Sequence, residues 1–232
     1  MISVIIPTYN EATHIAPTIQ TLWRHDEAKL ITEIIIADGG STDGTIKYGL
    51  SEGVRVLSCP RKGRAAQMNH GAEAANGSIL YFLHADTLPP AGFTTDIIAA
   101  VQREFLAGCF RLAFDHPHWF LKANCWFTRF DYNALRFGDQ SLFIQKDRFF
   151  QCGGFCEKHI VMEDQEIIRR IRKKGKFTVM KKPVITSARK YLDNGIYKTQ
   201  GIFYLIYAMY KLGFSQQHLV STYRKLIRQD KL

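Results

Sequence analysis

Four short apolar runs of strand length occupy the first third of the chain. They are rich in Ile, Val and Leu and barely alternate with polar residues, which is typical of strands buried on both faces of a parallel sheet. Segments with apolar residues at helical spacing lie between them. The predicted strands are residues 3–6, 33–37, 54–58 and 79–83, and the predicted helices are residues 11–24, 42–50 and 64–75.

The alternation of strand and helix predicts right-handed crossovers and an α/β fold with a doubly wound, mostly parallel central sheet. The second half of the chain is more mixed. Its predicted strands are residues 108–114, 140–145, 177–180 and 184–187, and its predicted helices are residues 91–105, 116–136, 164–174, 195–212 and 215–229. We expect one α/β domain over residues 1–190 and a helical C-terminal extension over residues 191–232, packed on the same domain.

Charge is distributed unevenly along the chain. The 232 residues carry 31 Lys and Arg against 21 Asp and Glu, a formal charge of +10. Residues 1–164 carry 15 basic and 18 acidic side chains, whereas residues 165–232 carry 16 and 3. Such a basic segment attracts nucleic acid, anionic lipid or phosphorylated ligands without choosing among them. It contains no recognised nucleic-acid-binding motif, so we expect no nucleic-acid partner.

The most apolar window, residues 201–210, bears on membrane association. It spans ten residues, whereas a membrane-crossing helix needs about 20 apolar residues. We therefore expect no membrane span. Two interpretations stay open: a core helix or homodimer-interface helix, and a helix lying on an anionic membrane surface.

The beginning of the sequence and its cysteines indicate a cytoplasmic protein, either free or peripheral on the inner face of the membrane. Met1 leads directly into an apolar run, without the charged segment of a secretory signal. The five cysteines are scattered, and the one close pair, Cys152 and Cys156, has no second pair or His cluster that would complete a zinc site.

Polar loops follow all four early strands. Because ligands of open α/β sheets bind outside the carboxyl ends of the strands, we expect these loops to meet at one edge. They supply acids, cations and glycines, which suits a nucleotide carrying phosphates and a metal. The loops are residues 7–11, 38–45, 60–64 and 84–87.

The same loops exclude several common sites. No Gly-x-Gly-x-x-Gly turn follows the first strand, and the P-loop pattern is absent. Gly-x-Ser-x-Gly, which marks α/β-hydrolases, is absent too. Two other classes stay open: a nucleotidyltransferase on a similar sheet, although the chain lacks its Gly-rich loop with Arg, and a non-catalytic protein that binds sugar nucleotides.

Four segments in this order resemble those of family 2 glycosyltransferases with a GT-A fold: SVIIPTYNE at 3–11, ADGGSTDGT at 37–45, LHADT at 83–87 and MEDQE at 162–166. Three others are similar to segments of the radical-SAM/selenodomain-associated transferase 2 subfamily, which is linked to arsenosugar biosynthesis. These are RAAQMN at 64–69, GDQ at 138–140 and TSARK at 186–190. The resemblance runs from about residue 2 to residue 223.

The resemblance implies a metal-dependent, inverting glycosyltransferase. It would move a sugar from a UDP- or GDP-linked donor to a hydroxyl of a small-molecule or lipid-linked acceptor, with Mg²⁺ or Mn²⁺ as cofactor. Asp38 would then accept a hydrogen bond from the base, and Tyr9, Asn10 and Glu11 would lie against base and ribose. Pro7 would shape the exit of the strand and touch the base only in passing. Alternatively, Asp38 caps the Gly-Gly turn, and Asn10 and Glu11 only begin the following helix.

Asp86 is the implied metal ligand, because a hard cation bridging diphosphate oxygens needs at least one protein carboxylate. The family pattern is Asp-x-Asp, but this chain has His84, Ala85 and Asp86, so only the final carboxylate remains. The segment is implied to bind the donor. His84 would hydrogen-bond ribose or phosphate, coordinate the metal weakly, or support the site from behind.

Three further residues are implied to lie at the donor. Arg64 opens a helix whose N–H groups favour phosphate, Asn69 follows on the same helix, and Arg189 would help to hold the diphosphate. For the two arginines the alternative is a solvated basic surface.

Asp164 is the implied general base, which takes the proton of the acceptor hydroxyl. Its alternative role is to cap the helix that it begins. Asp139 would lie near the donor sugar or acceptor, or else in a tight turn before the next strand. The aromatic residues of segment 119–130 would form an acceptor wall or belong to the core.

Overall fold

The computed structural model describes residues 1–51, 54–136 and 138–228, in which eight strands and ten α-helices occur. The strands are β1 (Ile2–Thr8), β2 (Ile31–Asp38), β3 (Arg55–Ser58), β4 (Ile79–Phe82), β5 (Thr87–Leu88), β6 (Ala107–Phe114), β7 (Leu142–Gln145) and β8 (Phe177–Thr186). The helices are α1 (Ala12–His25), α2 (Thr45–Ser51), α3 (Arg64–Ala74), α4 (Phe93–Gln102), α5 (Trp119–Phe127), α6 (Lys146–Gln151), α7 (Glu163–Arg172), α8 (Arg189–Asn194), α9 (Ile196–Lys211) and α10 (Gln216–Leu226). Two 3-10 helices, Asn133–Leu135 and Gly138–Gln140, precede β7.

All eight strands form one sheet, in the order β3-β2-β1-β4-β7-β6-β8-β5. β1 pairs in parallel with β2 and β4, and β2 pairs in parallel with β3. β7 runs antiparallel to its neighbours β4 and β6, whereas β6 and β8 are parallel. The predicted α/β class with a mostly parallel sheet is confirmed, and the carboxyl ends of the early strands share one edge.

Both faces of the sheet are buried, which explains why the early strands do not alternate. On one face Val4 and Ile6 pack with Ile15 and Ile19 of α1. On the other face Ile5 packs with α3 through the buried side chains Ala65, Met68 and Ala72. Successive residues of β1 therefore enter two different apolar clusters.

The helix predicted over residues 116–136 is wrong beyond Phe127, where α5 ends. Thr128 ends it, because its hydroxyl donates to the Cys125 carbonyl (2.6 Å) and accepts from the backbone N–H of Leu112 (3.1 Å). The following loop wraps around Arg136, whose buried guanidinium donates to the Thr128 carbonyl and to Gln140 Oε1, both at 2.9 Å.

The two strands predicted over residues 177–180 and 184–187 are one continuous strand, β8. Pro183 lies within it, and the pairing with β6 shifts register between Phe110 and Arg111, which accommodates the missing N–H group. The sequence reasoning also missed β5, α6 and α8, which span two, six and six residues and are too short to show a period.

The C-terminal helices α9 and α10 pack together and against the segment before α7. Their shared cluster contains Ile202, Ile206, Leu219 and Val161, whereas Tyr204 and Leu205 of the apolar window are exposed. No helix among the described residues is long and apolar enough to cross a membrane. The domain division at residue 190 stays a prediction, and residues 229–232 of the predicted extension lie outside the described residues.

Two helical glycines allow a matched test of the packing between α3 and the sheet. A Cβ at Gly71 would lie 2.6 Å from Ile5 Cγ2, whereas a Cβ at Gly201 on α9 would meet no atom of the described residues within 4 Å. We expect Gly71→Ala to lower the free energy of unfolding by about 1–3 kcal/mol through overpacking. Gly201→Ala should raise it by up to about 1 kcal/mol through helix propensity. Urea denaturation measures both, and equal effects would contradict the packing described.

Candidate functional site

Two carboxylates at the carboxyl edge of the sheet share one guanidinium group. Arg189 Nη2 lies 3.1 Å from both oxygens of Glu11 and 3.1 Å from Asp86 Oδ2. His14 Nδ1 is 3.3 Å from Arg189 Nη1. Burial alone would lower the pKa of Arg189, but the charges of Glu11 and Asp86 outweigh it and raise that pKa. Three predicted site residues, taken from the loops after β1, β4 and β8, thus meet in one cluster.

Asp38 ends β2 as a buried carboxylate, with 1% of its surface exposed. Oδ2 accepts the backbone N–H groups of Gly40 and Ser41, both at 2.8 Å. Oδ1 accepts the hydroxyl groups of Thr8 (3.1 Å) and Ser41 (2.5 Å). These four hydrogen bonds fix the Gly-Gly turn, as the turn-capping interpretation predicts. A contact of Asp38 with a nucleotide base stays a prediction.

The loops after β1 and β2 are bound to each other. The Asn10 N–H donates to Ser41 Oγ, and Asn10 Oδ1 accepts the Thr42 N–H, both at 2.9 Å. Asn10 has φ of 53°, a left-handed conformation that asparagine tolerates better than most residues. Pro7 is buried within β1, while Tyr9 is partly exposed and its ring centroid lies 3.9 Å from Lys62 Nζ. The two loops together form one side of the candidate site at this edge of the sheet.

A second cluster joins His84, Asp139 and Asp164. His84 Nδ1 lies 3.0 Å from Asp139 Oδ1. A Cβ at Gly138 would overlap Asp164 Oδ2 and lie 3.0 Å from His84 Cε1, so the glycine permits this approach. Burial would raise the pKa of Asp139, but the hydrogen bond and charge of His84 keep it below its ordinary value. Burial would lower the pKa of His84, and Asp139 raises it instead.

Glu163 belongs to this cluster, although the sequence analysis gave it no role of its own. Its side chain is 1% exposed, and its Oε1 lies 2.9 Å from Arg64 Nε. Within the described part of the chain, neither carboxylate oxygen accepts a hydrogen bond, so the ion pair with Arg64 is what compensates its charge. The signal available was its place beside Asp164 in the MEDQE segment.

Asp164 lies in the first turn of α7. Burial, and then the charge of Glu163, raise the pKa of Asp164 to about 7, against the opposing charges of Arg64 and His84. A carboxyl that titrates near neutrality suits proton transfer. The helix begins after Met162, which holds a left-handed φ of 64° that is rare for an unbranched apolar residue. Such strained backbone is common at functional sites.

Two predicted residues support neighbouring segments. The Asn69 side chain accepts the Phe155 N–H (2.8 Å) and donates to the Phe155 carbonyl (2.9 Å), which ties α3 to the segment before α7. Ala85 is buried, and its carbonyl accepts the Thr18 hydroxyl at 2.6 Å. Both residues therefore act on the shape of the site, and their predicted contact with a ligand is untested.

The donor atoms fit a metal that shares its ligands with a bound diphosphate. Among the described residues, no group of three or more His, Cys, Asp and Glu side chains is arranged to hold a metal ion. Asp86 nevertheless offers a hard carboxylate, and Mg²⁺ commonly binds through one or two carboxylates together with substrate phosphates. The Asp86 side chain is 19% exposed, and one of its oxygens, Oδ2, pairs with Arg189.

Comparison with known proteins gives consistent matches. The model of the family described as Glycosyl transferase family 2 matches residues 3–156. A relative from Methanococcus voltae, named dolichyl N-acetyl-alpha-D-glucosaminyl phosphate 3-beta-D-2,3-diacetamido-2,3-dideoxy-beta-D-glucuronosyltransferase, is 30% identical over 109 residues. The match covers 44% of this chain and 34% of the relative, so the chain spans about a third of that protein.

Two solved structures share the fold. The structure of Staphylococcus aureus TarS residues 1–349 with UDP superposes with a TM-score of 0.67 at 16% identity, covering 80% of this chain and 60% of that 1–349 fragment. The Pyrobaculum calidifontis mannosyltransferase PcManGT with GDP-Man and Mn²⁺ gives 0.67 at 21% identity, covering 99% of this chain and 65% of that one.

The match to the family model extends over more than half of the 232 residues and includes the loops that follow β1, β2, β3 and β4. These loops carry Glu11, Asp38, Arg64 and Asp86, so the match covers much of the candidate site. The chain belongs to glycosyl transferase family 2.

Proposed function

We propose that this chain transfers a sugar, with inversion, from a UDP- or GDP-linked donor to an acceptor hydroxyl. The observation that carries the proposal is the Asp164 carboxyl, which titrates near neutrality beside His84, Gly138 and Arg64. Family membership supports it, and so do the UDP and GDP-Man bound to the two structures with the same fold.

Arg64 and Arg189 are proposed to offset the negative charge of the diphosphate. Each already pairs with a carboxylate at the site: Arg64 with Glu163, and Arg189 with Glu11 and Asp86. The carboxylates hold the guanidinium groups in place, and charge that develops on a leaving diphosphate is stabilised best by such preorganised cations. Asp86 would hold Mg²⁺ or Mn²⁺ together with the diphosphate oxygens, and the metal would supply further neutralisation there.

Asp164 is proposed to take the proton of the acceptor hydroxyl. The acceptor oxygen bonds to the anomeric carbon as the bond from that carbon to the diphosphate oxygen breaks, and the proton passes to an Asp164 oxygen. One displacement inverts the anomeric centre and needs no protein nucleophile. His84 and Asp139 would orient the sugar or the acceptor beside Asp164.

Narrower identifications accompany this proposal. The transferase 2 subfamily linked to arsenosugar biosynthesis, a small-molecule or lipid-linked acceptor, a homodimer and a cytoplasmic location all stay predictions. Three segments of this chain, 64–69, 138–140 and 186–190, are similar to segments of that subfamily, and this similarity supports the assignment to it.

A thermal-shift screen of UDP- and GDP-sugars, with and without Mn²⁺, tests the donor and the metal together. A donor at about 100 times its Kd should stabilise the fold by about 2.7 kcal/mol. Asp86→Asn should remove the part of the shift that depends on Mn²⁺, while Asp96→Asn, which alters an exposed ion pair with Lys182, should leave it intact. A Mn²⁺-dependent shift that survives in Asp86→Asn would rule out Asp86 as the ligand.

Asp164→Asn should reduce kcat by about 10²–10⁴-fold while donor binding changes little, because only proton transfer is lost. The measurement is kcat with the donor found in the screen, beside calorimetric donor affinity. Asp96→Asn serves again as the control. Turnover that is unchanged in Asp164→Asn would remove this residue as the base.

The pH profile of kcat tests the electrostatics around the base. Asp164 must be ionised to accept a proton, so kcat should rise with pH up to about 7, where its pKa lies, and fall about tenfold per unit below that. Glu163→Gln removes a neighbouring negative charge that raises the pKa, so the rising limb should move to lower pH. A limb that stays in place, or moves to higher pH, would contradict this coupling.

A further inference from the structure

Helix α5 is an apolar helix that the described fold leaves largely uncovered. Its sequence is WFLKANCWF, and Leu121 is its one fully buried side chain. Trp119, Trp126 and Phe127 are 66%, 47% and 50% exposed, and Phe130 follows in the next loop with 39% exposed. A contiguous exposed aromatic group of this kind marks an interaction surface.

A cavity of about 360 Å³ lies between α5 and the strands β6 and β8, and basic side chains line it. Among the residues that the structure describes, its charged or titratable lining residues, apart from Cys125, are Arg111, His116, Lys122, Arg129 and Lys181, and none of them is a carboxylate. Arg111 Nε is buried and has no hydrogen-bond partner within the described part of the chain. An anionic group would satisfy that nitrogen and offset the shared positive charge.

The acids nearest to α5 in sequence are already engaged. Asp115 Oδ1 accepts the Ala188 N–H at 2.7 Å. Asp131 pairs with Arg172 and lies 3.9 Å from Arg136 Nε. The positive charge of the cavity is therefore not cancelled by these two side chains.

The exposed rings of α5 continue onto α9. The rings of Phe120 and Tyr197 are 4.8 Å apart, and the Tyr204 hydroxyl donates to Asn124 Oδ1 at 2.8 Å. Tyr197, Tyr204 and Leu205 are exposed. Aromatic and aliphatic groups thus extend on both sides of the contact between the two helices.

We propose that this surface, formed by α5 with the exposed side of α9, docks on an anionic lipid bilayer. Aromatic rings favour the headgroup level of a bilayer, where one end is apolar and the other is wet. Basic side chains beside them are attracted to anionic lipid. A lipid phosphate would enter the cavity and meet Arg111, Lys122 and Arg129. The proposal concerns residues outside the candidate site and does not rest on the proposed function.

The charges favour a bilayer over a second copy of the chain. A two-fold interface places the same patch on both sides, so the cations Lys122, Arg129 and Lys181 of one copy would face the equally basic patch of the other. The ring packing disfavours single-stranded nucleic acid, which stacks bases on free ring faces. The Arg129 guanidinium lies 4.3 Å from the Trp126 ring centroid, and Phe127 and Phe130 pack edge-on against the same ring.

Vesicle co-sedimentation of the full chain tests the proposal. We expect binding to vesicles of phosphatidylcholine mixed with phosphatidylglycerol, and little binding to phosphatidylcholine alone. Lys122→Glu with Arg129→Glu should weaken the partition at least about fivefold for each basic residue removed. The double variant Trp126→Ala with Phe127→Ala should also weaken the partition onto anionic vesicles, by about as much as the double variant of Lys122 and Arg129.

The control is the pair Trp23→Ala and Arg24→Glu on α1, which alters an exposed tryptophan and an exposed arginine elsewhere. It should leave vesicle binding unchanged. Circular dichroism and the donor thermal shift, measured on every variant, separate loss of docking from loss of fold or of donor binding.

Four outcomes of the vesicle and sedimentation measurements would overturn the proposal. They are absence of binding to the anionic vesicles, equal binding to both vesicle types, an equal loss in the α1 control, and a dimer in sedimentation velocity that the α5 variants dissociate. Displacement from vesicles by single-stranded RNA at low concentration would also count against it, because it would assign the surface to nucleic acid.

Discussion

The parallel pairing of β1 with β2 and β4 is the constraint on which the candidate site depends. It places Thr8 opposite Asp38 and Ile5 opposite Phe82, so the chain leaves all three strands at the same edge. Each loop then carries polar groups into one small volume. Burial of both sheet faces fixes this register, because a slip by one residue would exchange the two apolar clusters.

Gathering acids at one edge creates repulsion that the fold must compensate. Glu11, Asp86 and Glu163 are held beside Arg189 and Arg64, and Asp139 is held by His84. Each guanidinium pairs with carboxylates of the protein and is also suited to a phosphate. A bound diphosphate would therefore compete for cations that the acids have already positioned, which makes a divalent ion at Asp86 physically reasonable.

The early half of the fold was predictable because its elements are long, apolar and bounded by polar loops. The meeting of the polar loops followed from the sheet, since the carboxyl ends of parallel strands lie at one edge, whereas the roles of the residues on those loops stay predictions from the family resemblance. The direct contact between the side chains of Arg189 and Asp86 could not be predicted from the sequence. The two residues are 103 positions apart, and α8, which Arg189 begins, is too short to show a helical period. Nor was the helix end at Thr128, which depends on a hydrogen bond to Leu112 in another element.

This chain has His84 where the Asp-x-Asp pattern of the family has its first Asp, and the difference affects the pKa of Asp164. A carboxylate at that position would add a negative charge near Asp164 and push its pKa higher still. His84 instead lowers that pKa and pairs with Asp139, while burial and Glu163 raise it. The pKa of Asp164 near 7 is thus a balance to which His84, at the first position of the motif, contributes, whereas Asp86 is proposed to act on the phosphates. In the proposed displacement, the two polar residues of this short segment would therefore serve different groups: His84 the base Asp164, and Asp86 the leaving diphosphate.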